Sequence, residues 1–176
     1  MLAKSLSAGF TLIELMISLV ILAILLSLGM PAFTGILESS RTKAAASGFA
    51  MGLQRARAEA ISRNTLVTFT PSGAGWTTTA PNRDSPPLIE TVDVKAGGES
   101  SGGFVTVTPS TAVVFNGLGR FPPLAAAVDF DFSGPSGCGG EIRCLRVRVS
   151  AGGQVRVCDP DQAVTNKDNR SCTPQP

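Results

Sequence analysis

Residues 10–30 are apolar or small at almost every position, and Glu14 is the only ionisable residue among them. A helix rises about 1.5 Å per residue, so such a run matches the roughly 30 Å hydrocarbon core of a bilayer. Pro31 follows. Proline removes a backbone donor and crowds the preceding turn, which predicts a kink at Gly29, Met30 and Pro31 without an end to the helix. Beyond it, Ala46, Phe49, Leu53, Ala56 and Ala60 recur at intervals of three and four. That period predicts one apolar stripe along a helix continuing over residues 32–64. Arg55 with Glu59, and Glu59 with Arg63, stand four apart and predict ion pairs on its solvated side. A helix of this length exceeds a bilayer, so its second half must lie against a domain beyond the membrane.

After Asn64 the pattern changes to short alternating stretches rich in Thr, Val, Phe, Gly and Pro, the mark of antiparallel strands joined by tight turns. Strands are predicted at 66–70, 75–79, 88–94, 104–108, 112–115, 128–132, 142–150 and 154–158. The fold class is therefore α+β, a long N-terminal helix packed on an antiparallel β domain, and residues 65–176 suffice for one core closed by the helix stripe. The chain divides into a leader (1–9), an apolar helix segment (10–31), an amphipathic continuation (32–64) and the β domain (65–176).

In the last hairpin, valines alternate with arginines, so one face is apolar and the other basic. A two-residue turn at Gly152 and Gly153 would set Val149 against Arg156 and mix the faces. A three-residue turn, Ala151-Gly152-Gly153, pairs Val149 with Val155 and Arg148 with Arg156. It also gathers Arg146, Arg148 and Arg156, which repel unless something anionic lies near. Either Asp129 and Asp131 supply that charge, or the face meets nucleic-acid phosphate. The hairpin carries no aromatic side chain for base stacking, which weighs against strong single-strand binding.

Composition removes whole classes of chemistry. Among 176 residues there is no His and no Tyr, so histidine-based nucleophile pairs, His-ligated metals and imidazole proton shuttles are excluded. Neither a nucleophile with its base nor a carboxylate pair emerges, so no catalytic residue, enzyme activity or cofactor is expected. The net charge of +2 is too small to indicate a partner. The four cysteines, Cys138, Cys144, Cys158 and Cys172, lie in the part expected beyond the membrane, where disulfides form. Their spacing lacks a Cys-x-x-Cys knuckle, so no metal site is expected. Of three connectivities, Cys138 with Cys144 and Cys158 with Cys172 is preferred, because the second bond pins a polar tail with little else to hold it.

Lys4 in the leader places the N-terminus in the cytoplasm by the positive-inside rule. A secretory signal peptide is the alternative, but this apolar run is too long for one and carries a carboxylate. Thr11 to Glu14 fits a capping box, with Glu14 turned back onto the helix start, where the dipole also favours a negative charge. Cleavage after Gly9 would give Phe10 a free amine, for which a membrane-embedded Glu14 on a neighbouring copy is a suitable counter-charge.

Gly9-Phe10-Thr11-Leu12-Ile13-Glu14-Leu15-Met16, with the apolar run ending at Pro31, resembles the N-terminus of type IV pilins and type II secretion pseudopilins. The segment from Arg55 to Asn64, with Val67 and Trp76 after it, narrows the resemblance to the group holding the FimT and FimU minor pilins and the H component of type II secretion. Phe115 to Arg120 resembles that group's strand-turn segment less specifically. The resemblance implies cleavage between Gly9 and Phe10 by a prepilin peptidase, N-methylation of Phe10, and filament assembly through the apolar helix with Glu14 and Pro31. It implies a single-pass inner-membrane protein before assembly, located from pilus or periplasm to cell surface afterwards, with other minor and major pilins as partners. The expected role is a minor type IV pilin that primes or caps the pilus in support of twitching, adhesion or DNA uptake. A type II secretion pseudopilin of the H type is the alternative. A DNA-uptake receptor acting through Arg146, Arg148 and Arg156 is a third and less favoured reading, since Gln154 stands where DNA-binding FimT proteins carry the first Arg of their hairpin pattern.

Overall fold

The computed structural model describes residues 10–81, 88–92, 105–122, 126–139, 143–160 and 170–172, except for the side chains of residues 28–33 and 88. The leader, Gly9 included, lies outside these residues, as does Pro31 beyond its backbone. The chain divides into two units, Met1–Gly35 and Ile36–Pro176. One helix, α1, spans Leu12–Arg63. The eight strands are β1 (Val67–Ser72), β2 (Gly75–Thr79), β3 (Leu88–Val92), β4 (Thr106–Thr108), β5 (Val113–Phe115), β6 (Val128–Ser133), β7 (Leu145–Val149) and β8 (Val155–Cys158). They form two antiparallel sheets, ordered β3-β2-β1-β5 and β4-β6-β7-β8. Each strand lies where the alternation predicts, and most differ only at their ends.

At its N-terminal end α1 is capped by Thr11, whose Oγ1 accepts the Glu14 amide at 3.3 Å. That is one half of the expected capping box; the Glu14 carboxylate bonds to nothing among the described residues. At its other end Asn64 adopts φ 47°, a left-handed residue of the kind that closes helices.

In the second unit the helix stripe is the centre of the core. Ala46, Phe49, Leu53, Ala56 and Ala60 are all buried, as their period requires. Phe49 meets rings from both sheets: Phe69 at 5.0 Å and Trp76 at 5.9 Å on one, Phe130 at 5.0 Å and Phe132 at 5.2 Å on the other. The strands present these side chains by simple alternation. On β6, Phe130 and Phe132 point inward while Asp129 and Asp131 face out; on β7, Val147 and Val149 are buried and the arginines face out. Trp76 packs so closely on the helix that a Cβ at Gly52 would lie 2.4 Å from its ring.

Two disulfides tie down the end of the domain, Cys138 with Cys144 and Cys158 with Cys172. One expected ion pair is corrected. Glu59 pairs with Arg63 at 2.8 Å, but Arg55 reaches across to Glu90 of β3 at 2.9 Å. The order Glu before Arg suits the helix dipole better than the reverse, so Glu59 goes to Arg63 and Arg55 is left for the strand beside it.

Candidate functional site: an unpartnered apolar helix and a basic hairpin

The first unit exposes its apolar side chains. Phe10 is 83% exposed, and every large apolar residue from Leu12 to Leu26 is more than half exposed. An apolar stripe would mark a helix lying on a core; apolar side chains on all sides mark a helix meant for lipid or for other such helices. Among the described residues, however, no helix is long and apolar enough to cross a membrane. Phe10 and Glu14 share this exposed N-terminal end.

The basic hairpin takes the register that keeps its faces consistent, with Val149 opposite Val155 and Arg148 opposite Arg156. Gly153 at the third turn position has φ 76°, and a side chain there would strike the Gly119 carbonyl. Adjacent β6 brings Asp131 opposite Arg146 and Asp129 opposite Arg148. Arg146 grips Asp131 with two bonds of 2.6 and 2.9 Å. Arg148 grips Asp129 with two of 2.7 Å and also donates to the Cys172 carbonyl. Arg156 donates to the Ser171 carbonyl at 3.0 Å. Forked guanidinium–carboxylate pairs of this kind are strong and directional. The cations are thus matched within the fold by the two acids that the sequence offered for the purpose, with the residues beside the second disulfide taking up more of the donors.

The pairing has an electrostatic signature. The hydrogen bond from Arg148 holds the Asp129 carboxyl below the usual carboxylate range, aided by the charges of Arg148 and Arg146, while burial pushes the other way. Arg148 and Arg146 are raised in turn, chiefly by their bonds to Asp129 and Asp131. A carboxyl depressed in the folded state stabilises it above its unfolded pKa of about 3.9, and that stability is lost as pH falls through the folded value. The unfolding free energy of the reduced-charge variant Asp129→Asn, from urea titration, should lie below the wild type near pH 6 by about 1 kcal/mol, with the gap narrowing as pH falls below the usual carboxylate range. A gap that does not narrow would refute the pairing.

Sequence reasoning missed three tertiary anchors. Glu38 of α1 accepts from the Ser136 amide and hydroxyl at 3.0 and 2.9 Å. Arg57 donates to the Gly119 carbonyl at 2.9 Å. Asn116 Oδ1 accepts the amides of Leu118 and Arg120, both at 3.0 Å. Only the last left a trace in the sequence, because Asn-Gly is a turn signal.

Among the described residues there is no group of His, Cys, Asp and Glu that could hold a metal ion. A family model described as Type II transport protein GspH matches residues 45–153, and one described as Prokaryotic N-terminal methylation motif matches residues 4–30. No curated protein matches the chain. Two crystal forms of the Pseudomonas aeruginosa type IV minor pilin FimU are similar to it. One is 17% identical with a TM-score of 0.46, covering 65% of this chain and 90% of that one. The other is 16% identical with a TM-score of 0.48, covering 69% and 91%.

Proposed function

Starting from the fact that this chain belongs to the Type II transport protein GspH family and carries the prokaryotic N-terminal methylation motif, we propose that it is a minor type IV pilin that primes or caps a pilus. The family is one of structural proteins, and the proposed mechanism is association. Prepilin peptidase removes the leader after Gly9, the Phe10 amine is methylated, and the apolar helix passes from the inner membrane into a filament core. There Glu14 of one subunit neutralises the Phe10 amine of the next. The β domain, outside that core, selects neighbouring pilins.

The single observation that carries this reading is the unpartnered N-terminal helix, exposed on every side from Phe10 to Leu26 and bearing one carboxylate near its start. Such a helix has no stable place in water, because each large apolar side chain left exposed forgoes about 1.5–3 kcal/mol of burial. The observation serves equally well for a type II secretion pseudopilin of the H type, since the matched family takes its description from that component. A DNA-uptake role through Arg146, Arg148 and Arg156 draws less support, since these guanidiniums bond to Asp131, Asp129 and the Ser171 carbonyl.

Deletion of the gene separates the two assemblies. The pilin reading predicts at least a tenfold loss of surface pili and of twitching with exoprotein secretion intact. Loss of secretion with normal piliation would transfer the chain to the secretion pseudopilus.

A further inference from the structure

Residues 116–121, which follow β5, are braced far beyond what a connection needs. Asn116 closes it from within, and the Asn116 amide donates to the Arg120 carbonyl at 2.9 Å. Arg57 of the helix holds the Gly119 carbonyl, the backbone of Gly153 packs against that same carbonyl, and the Phe121 amide donates to the Ala151 carbonyl at 3.1 Å. Helix, strand β5 and the basic hairpin's turn therefore all fix one short segment.

What this bracing presents to solvent is Leu118, 75% exposed; the tip of Ile61, itself 48% exposed, reaches the backbone at the neighbouring residue, Gly119. A single exposed leucine is ordinary. Apolar side chains on a braced backbone are different, because the backbone ordering cost is already met before a partner covers them and only side-chain rotamers remain to be fixed. The charge around it is one-sided. Arg120 is exposed and its guanidinium bonds to nothing among the described residues, Arg57 meets only a backbone carbonyl there, and the nearby Glu59 is taken by Arg63.

We propose that the loop carrying Leu118 and Arg120 is a docking surface for a different filament subunit, one that covers Leu118 and Ile61 with apolar side chains and supplies carboxylates to Arg120 and Arg57. The chemistry of the occupant follows from the charge imbalance: among the described residues Arg57 and Arg120 have no carboxylate partner, since the acid near them, Glu59, pairs with Arg63. An apolar centre with a polar rim, and arginine among its residues, is the usual anatomy of a protein interface. The proposal rests on the filament reading and adds to it the face that selects a neighbour.

The test uses the full chain in its host. A photo-crosslinking residue at position 118 should capture another pilin-type subunit through a peptide holding Asp or Glu beside apolar residues. Arg120→Glu should lower that crosslink about tenfold. Reversing the captured acid to Lys in the partner should restore it. Leu118→Ser should weaken the crosslink formed from position 61 while leaving the thermal midpoint of the purified chain unchanged, because the braces use Asn116 and the backbone. Capture of a second copy, of lipid or of nothing, or indifference to Arg120→Glu, overturns the docking surface. If the acidic partner is captured in cells where the chain never enters a filament, the docking surface stands and the filament reading falls.

Discussion

Phe49→Ala should be the most damaging single truncation in the β domain, lowering the unfolding free energy by about 3–5 kcal/mol. The side chain is fully buried and its ring meets Phe69, Trp76, Phe130 and Phe132, two from each sheet. Its removal opens a cavity at the point where helix and both sheets meet, and four rigid rings cannot collapse into it. Edge-to-face aromatic contacts add about 0.5–1.5 kcal/mol each beyond burial, so the upper part of the range is expected. Ala56→Gly, also on the buried stripe, should cost only about 1 kcal/mol, mostly through helix propensity. Urea unfolding of the two variants gives the comparison, and similar midpoints would show that Phe49 is not the centre of the core.

Removal of the first unit should change the physical state of the protein altogether. A chain starting at Ile36 is expected to be monomeric in aqueous buffer, whereas the full chain should require detergent. Thirteen large apolar side chains between Phe10 and Leu26 are more than half exposed, each worth up to about 1.5–3 kcal/mol when fully covered. The second unit keeps the core, both disulfides and the Arg–Asp pairs, so its far-ultraviolet dichroism and thermal transition should survive the cut. Sedimentation in the presence and absence of detergent reads the outcome. A truncated chain that still needs detergent would place the apolar surface elsewhere.

What could be read from sequence was what rests on periodicity. The stripe from Ala46 to Ala60 needs only the helical repeat, and the hairpin register follows from keeping valines with valines, since a slip of one residue turns every side chain to the other face. Asp129 and Asp131 could be named as partners for the arginines because alternation puts them on the matching face of β6. Strand ends were less legible: β1 runs on to Ser72 through Pro71, and β7 begins at Leu145 rather than at 142. What sequence could not show were single long-range contacts. Arg55 has an acid four residues away and chooses Glu90 on β3 instead, a decision made by which strand the fold lays beside the helix. The Glu38 to Ser136 and Arg57 to Gly119 bonds have no periodic signature at all. Gly153 looks like an ordinary turn glycine in sequence, yet its backbone must also clear the Gly119 carbonyl.

On the pilin reading, the apolar helix becomes the N-terminus of the assembling subunit. Intact-mass and N-terminal peptide mass spectrometry of the protein from its host tests this most directly. A chain that begins at Phe10 and carries one methyl group on its α-amine is expected, whereas an intact leader in cells that assemble filaments would refute the pilin reading.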